Sequence, residues 1–559
     1  MSEIIYTIPA TDQTLHRYAA GCEAPELDGT AAGYKLAMRR WFQARGCDSL
    51  DSAGLTALVD EWYEQTRDNW CGGTEFYLPD VSAVTYGTKV GDNADLTCEP
   101  STDTVEGADD YAGLPLFACV DCNFEVDADT LEPVITAIDG VTDGFRRTDT
   151  GVFVGVLQMA GWFWYDETDS TYTWGYSSLR PSRCARCEPL MESVRVDGTV
   201  RGWVVHGKYG AAVVGSKLTC CKGVIPRGFI SHNTCHTYTD NIGTQYSGTC
   251  ACDDFFLKLM VYIKYASLTL DGIIQGGCNY SYQYPAQVAE EGVTRVLISS
   301  SHSLEVGMGV LVGDYAGSTD RGSLYATTGQ AGAVITAIES ETVDDEEYAA
   351  VYLDVDGTFD VAANGAATEG TTYLSTYAWP TGTTDRVLAN DGSMTSNTSG
   401  RYPGKVQGIE CMTGTYEVVA DSILSLYADD DGAYWYEPCV CRTSASQATS
   451  ITDAYEASGA VCEQDASTSQ WSYIKRLSCE GGVAFPVECG GSSSTYTRDA
   501  FYRLAATEGT REWLARGSLS NGSADAGLSC ARGGSALSRA NWYYGARLSA
   551  SGNRGEWTA

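Results

Sequence analysis

The stretch RGSLSNGSADAGLSCARGGSALSRANWYYGARLSASGNRGEW, residues 516–557, constrains the fold more than any other part of the chain. It holds almost no aliphatic core residues, yet glycine, serine, asparagine, arginine and aromatic residues alternate densely along it. It looks like a binding surface and not like a core. From residue 498 onward the sequence carries eight arginines, no lysine and five acids (Asp499, Glu508, Glu512, Asp525 and Glu556), a net of about +3. Arginine in place of lysine suits fixed, planar, hydrogen-bonded contacts.

The chain as a whole has the opposite charge. Its 559 residues include 36 Lys and Arg against 73 Asp and Glu, a formal charge of −37. Such a surface repels phosphate backbones and anionic lipid, so nucleic acid and membrane surfaces are poor partners. A hydrophobic share of 43% with 19% charged residues is that of a globular chain, long enough for roughly three or four domains. The best apolar run, 255–270, is interrupted by Lys258 and Lys264, and no membrane insertion is expected. MSEIIYTIPATDQ has neither a basic n-region nor an apolar h-region, so cytosolic synthesis is expected. The 21 cysteines, an odd number, are then expected to be mostly reduced and buried thiols.

Periodicity organises the rest. Leu55, Leu58, Val59, Trp62 and Tyr63 form one apolar helical stripe behind Asp51 and Ser52 as candidate N-caps, and Tyr34, Met38, Trp41 and Phe42 form another. Residues 1–80 therefore read as a helical attachment unit, either docking outward or packed on the next domain. Residues 81–218 read as β-rich. Within them VFVGVLQMAGWFWYDETDSTYTWGY suggests strands joined by an acidic turn, with Trp162, Trp164, Tyr172 and Trp174 facing either a sugar or a core. A helix is expected over 253–276, with Asp253 and Asp254 at its start and Lys258 and Lys264 on its polar side. Short alternating strands over 288–375 suggest a small inserted β-barrel. The fold class is α+β, multidomain.

Candidate chemistry is sparse. Cys119, Cys122, Cys184 and Cys187 form two CxxC pairs spaced too far apart for a compact zinc knuckle. Cys220 and Cys221 with His232, Cys235 and His236 offer another ligand group, with buried thiols the alternative for both. Asp429, Asp430 and Asp431 lack the spaced ligands of a calcium loop, and the glycines Gly307, Gly309 and Gly313 precede strand-like residues instead of a helix. None of the five histidines lies in a nucleophile motif, and there is no GxSxG elbow. No cofactor and no catalytic residue is expected.

The C-terminal segment resembles that of phage and prophage tail proteins with a C-type-lectin-like fold, the variant shared with formylglycine-generating enzymes. The matching features are Gly490–Gly491–Ser492, Arg516–Gly517, Asn521–Gly522, Ala526–Gly527–Leu528, and Trp542 followed by Gly545–Ala546–Arg547–Leu548. Gly414, Tyr416, Glu417 and Asp421 match a further family segment. The resemblance covers the last 160 or so residues and more loosely all from about 220. It implies a lectin-like domain of residues 219–287 and 376–559, interrupted by the barrel. Two departures stand out: Cys530 is the lone cysteine near the end where oxidising members have a pair, and Leu519 stands where relatives commonly have Trp.

In such a fold Arg547 and Trp542 are expected as framework. Ser518, Ser520, Ser529, Ala531, Arg532, Ser535, Leu537, Ser538, Arg539, Asn541, Tyr543 and Tyr544 are expected to face outward as ligand-binding residues. Their composition is that of antibody paratopes, which combine stiff amphipathic area with adaptable hydrogen bonds. Relatives include targets of diversity-generating retroelements, and the resemblance suggests that role. It implies a non-enzymatic receptor-binding protein of a phage tail, assembled in the bacterial cytoplasm into the virion, most simply as a homotrimer. Its partners would be other tail proteins and a host-surface protein or glycan. A bacterial surface or secreted adhesin of the same fold is the alternative, and a formylglycine-type oxidase a remoter one.

Overall fold

The computed structural model describes residues 27–182, 184, 186–276, 282–317, 332–465, 467–516 and 526–557. Both expected N-terminal helices form. In α1 (Ala31–Gln43) the Thr30 side chain accepts the Gly33 N–H, and in α2 (Ser52–Thr66) Asp51 accepts that of Gly54, so each helix starts at a side-chain cap. Their stripes meet: Trp62 Nε1 donates to the Tyr34 hydroxyl at 2.8 Å, with Met38, Phe42 and Val59 buried around them. The far side of α2 is covered within the chain. Thr56 Oγ1 accepts the Ile135 N–H at 2.9 Å, and Asp60 accepts Trp203 Nε1 at 2.7 Å. These apolar stripes pack against the chain's own sheet and are not free to dock outward.

That sheet is antiparallel and four-stranded among the described residues, in the order Pro133–Ile138, Cys119–Val126, Phe153–Met159, Trp203–Gly207. A five-stranded sheet lies beside it, in the order Thr88–Gly91, Cys71–Tyr77, Thr171–Ser177, Trp162–Glu167, Arg186–Pro189. Of the aromatic row in this sheet, Tyr172 and Trp174 are core and Trp162 and Trp164 are half-buried.

Two further helices follow, α3 (His232–Asp240) and α4 (Ala251–Tyr265). Helix α4 stops eleven residues short of the expected end, at Ala266 in the left-handed conformation (φ +48°). It is buried on every side, between the five-stranded sheet, where Phe255 stacks on Trp174 at 5.3 Å, and the Tyr416–Ala428 strand. Lys258 and Lys264 therefore do not form a solvated face. Lys258 pairs with Asp254, and Lys264 with Asp391 at 2.8 Å and Asp109 at 3.5 Å. An ammonium is tolerated in such surroundings only when a carboxylate meets it.

The segment expected as a barrel is a six-stranded antiparallel sheet in the order Gln283–Pro285, Thr372–Thr376, Gly309–Asp314, Ala333–Val343, Glu346–Leu353, Arg295–Ser299. It has its own hydrophobic core, which reaches beyond residue 375 to Val387, Met394 and Tyr402. The main core, by contrast, runs without a break from Tyr34 to Ala550. The N-terminal helices, both N-terminal sheets and the C-terminal sheet share it, so the divisions expected at 80 and 218 separate no cores.

The C-terminal sheet holds ten strands among the described residues. Its central order is Tyr434–Cys441, Tyr416–Ala428, Gly509–Ala515, Ala531–Arg532, Ala500–Arg503, Gln470–Leu477, with Tyr544–Gly545 adding in parallel to the start of the long strand. The architecture is α+β and strand-rich, with four α-helices among the described residues. No described helix is long and apolar enough to cross a membrane.

Candidate functional site

The C-terminal sheet is tied together by buried charge. Glu417 accepts from Thr249 Oγ1 at 2.8 Å, from Arg547 Nη2 at 2.8 Å and from Arg516 Nη2. Burial alone would raise the Glu417 carboxyl, but the Arg516 and Arg547 guanidiniums outweigh it and hold the group well below the usual carboxylate range. Arg547 also donates to the carbonyls of Gly207, at 3.0 Å, and Glu410, which ties the C-terminal sheet to the four-stranded one. Four residues along, Asp421 accepts the Ala251 N–H at the start of α4 at 2.9 Å and Arg554 Nη2 at 2.7 Å. An anion suits that place because the first N–H groups of a helix have no partner inside it. Glu417 and Asp421 are thus the anchors, and Arg516, Arg547 and Arg554 are framework.

Above this frame the sheet presents aromatic residues. Trp471 and Tyr502 are directly opposite on neighbouring antiparallel strands, and Tyr502 is opposite Arg532 on the next, parallel, strand. Cross-strand partners share a face, so the three form a row. The Trp471 and Tyr502 rings meet edge to face at 5.3 Å. The Arg532 guanidinium carbon lies 4.8 Å from the Tyr502 ring centre and 5.9 Å from those of Trp471 and Tyr543. All four side chains are half-buried. Ser538 and Arg539 nearby in sequence are exposed, and Asn541 is half-buried.

The other expected contact residues divide sharply. Ser529, Ala531, Ser535, Leu537 and Tyr544 are buried, a correction to the outward-facing expectation. The Ser529 N–H donates to Asp499 at 2.8 Å, and Ser535 Oγ lies 2.7 Å from the Tyr544 hydroxyl. Ala531 is paired between Phe501 and Ala515, and Leu537 packs with Ile423, Cys439, Cys441 and Tyr455. Residues 544–555 are buried throughout, because Leu548 and Ser549 pair with Gly248 and Ser247 and the Ala211 N–H donates to Ala546 at 2.8 Å. Ser518 and Ser520 lie outside the described residues. Trp542 and Arg547 are buried, as a framework role requires.

Trp471 and Tyr502 were missed in the sequence. AFYR carries no period-two alternation that would have marked Tyr502: Ala500 and Phe501 are both buried, and Tyr502 and Arg503 are both half-buried.

Two buried acids lie beneath the surface. Asp499 and Glu512 are each pushed up to about 8 by burial, far above the usual carboxylate range. Glu512 accepts the His232 N–H at 3.2 Å through one oxygen, while its other oxygen has no hydrogen-bond partner. Helix α3 brings His232 Nε2 to within 3.3 Å of His236 Nε2, and burial pushes the two rings down to about 3 and about 4. Among the described residues no group of three or more His, Cys, Asp or Glu side chains converges as metal ligands, and the nineteen described cysteines are free.

The chain matches no family model and no curated protein sequence. The surface that the geometry offers is an aromatic and arginine patch on a rigid sheet.

Proposed function

We propose that this protein is a non-enzymatic receptor-binding component of a phage tail, and that its C-terminal part, in a C-type-lectin-like frame, grips a molecule of the host-cell surface. The observation that carries the proposal is the half-exposed cluster of Trp471, Tyr502, Arg532 and Tyr543, with Ser538 and Arg539 exposed and Asn541 half-buried in the same terminal segment. Tyr, Trp and Arg dominate binding hot spots because they offer large contact area with few rotamers to freeze. The frame supports the same reading. The residues through which the chain resembles lectin-like tail proteins, Glu417, Asp421 and Arg547, form the ionic interior that holds the patch still. Other tail proteins are its structural partners, and a homotrimer would multiply weak single sites into useful avidity.

The test replaces Arg532, Arg539 and Tyr543 together by Ala and measures binding of the labelled full-length protein to a panel of bacterial isolates by flow cytometry. The expected result is loss of binding at an unchanged melting temperature. Binding equal to that of the wild type would overturn the assignment.

A further inference from the structure

Arg532 is placed as a receptor for an anion. The guanidinium carbon of Arg532 lies 4.8 Å from the centre of the Tyr502 ring, and a guanidinium carries five N–H donors in one plane. Four of the other seven C-terminal arginines meet carboxylates: Arg498 with Asp271, Arg516 with Glu417, Arg547 with Glu417 and Arg554 with Asp421. Among the described residues Arg532 has no such ion pair, and its Nε is buried without a hydrogen-bond partner. A buried donor left unpaired costs free energy that a ligand acceptor recovers. Burial raises the Glu512 carboxyl to about 8, against the lowering influence of Arg532 and Arg539.

The walls narrow the ligand further. Trp471, Tyr502 and Tyr543 surround the guanidinium with half-exposed rings, which suit the C–H face of a pyranose better than a bare inorganic anion. A carboxylate is planar and takes two parallel N–H bonds from an arginine fork. On a molecule of formal charge −37, an arginine with no ion pair among the described residues, set amid aromatics, is also where a negative ligand meets least repulsion.

We infer that the Trp471–Tyr502–Arg532–Tyr543 patch binds a carboxylated pyranose, a sugar of the uronic or sialic acid class, with Arg532 holding the carboxylate and Trp471 and Tyr502 the ring. The inference deepens the receptor-binding reading and rests on it for its biological setting, but not for its chemistry.

The experiment titrates the full-length protein with D-glucuronate, N-acetylneuraminate, D-glucose and acetate by isothermal calorimetry and saturation-transfer NMR at pH 7. One or both acidic sugars are expected to bind at least tenfold more tightly than glucose and than acetate, and which of them binds identifies the class. R532Q should lose the advantage of the acid over glucose, R532K should keep less than a third of the affinity, and W471A should weaken acidic and neutral sugars alike. Equal affinity for glucuronate, N-acetylneuraminate and glucose, or R532Q binding as wild type, overturns the inference. Acetate binding as tightly as the sugars would assign the site to carboxylates without a sugar and equally overturn it. The two readings fail separately. Cell binding lost in the triple variant with no affinity for acidic sugars refutes the ligand class alone, whereas acidic-sugar binding with unaltered cell binding refutes the receptor role.

Discussion

Replacing Glu417 by Gln probes the interior on which the surface depends. The wild-type carboxylate faces two guanidiniums, and Glu417, Arg516 and Arg547 are each less than a tenth exposed. Gln keeps the volume and removes the charge, leaving Arg547 with no carboxylate partner and Arg516 with Asp254 alone, at 3.6 Å. Removing one partner of a buried pair costs about 3–5 kcal/mol. At about 1.4 kcal/mol per factor of ten, local opening should become two to four orders of magnitude more frequent. The assay is amide hydrogen exchange at Leu548 and Ser549, which pair with the Ser247–Gly248 strand directly beside the cluster. Substituting Glu456, whose ion pair with Arg442 is largely exposed, should cost less than about 1 kcal/mol and serves as the control.

The pH dependence has a definite sign. Because the folded-state carboxyl lies below its unfolded value of about 4.3, its stabilisation is present above that pH and is lost as pH falls toward the folded value. Wild-type protection at Leu548 should therefore decline in acid, and E417Q should lack that step. Exchange in E417Q within threefold of wild type at pH 7 would refute the ionic-frame argument. Replacing Glu417, Arg516 and Arg547 together by Met should restore much of the loss, since the cost lies in the unpaired charges.

Glu512 should behave in the opposite sense. Its folded value of about 8 lies above the unfolded one, so its stabilisation is complete below about pH 4 and disappears as pH rises through 8, by up to roughly 5 kcal/mol. E512Q should melt near wild type at pH 5 and well above it at pH 9; parallel melting curves would contradict the burial argument. A methyl group on Gly207 would lie 2.1 Å from the Leu548 carbonyl oxygen, so G207A should displace the last strand and expose 544–557 to limited proteolysis. A G207A protein as resistant as wild type would show that the terminus is not seated there. The surface triple variant and the acidic-sugar titration complete the set.

Much was legible because it is local. Tyr34, Met38, Trp41 and Phe42 repeat at helical spacing, and Asp51 accepts a hydrogen bond only three residues away. The hairpin of the Trp162–Glu167 and Thr171–Ser177 strands likewise needs only alternation and a turn. The resemblance to lectin-like tail proteins singled out Glu417, Asp421 and Arg547 without saying whom they meet.

Other features depend on partners far away in the chain. Lys264 reads as a solvent-facing residue of an amphipathic helix until Asp109 and Asp391 are brought to it from other segments. Composition in the terminal segment was right about residue types and wrong about direction. Arg532, Ser538, Arg539 and Tyr543 reach the surface, whereas Ser535 and Tyr544, of the same polar character, meet each other inside. Polarity in a sequence states that a group needs a partner and leaves open whether that partner is water.

By itself the sequence determined the α+β composition, the N-terminal helices and their caps, and an arginine-rich, aromatic end unlike the acidic remainder. Only the tertiary structure decided that one core joins Tyr34 to Ala550, and that Trp471 and Tyr502 from separate strands line up in one row with Arg532. The reason is physical. Helical periodicity and capping act over three or four residues, whereas sheet pairing and charge burial are settled between groups that meet only when the chain has folded.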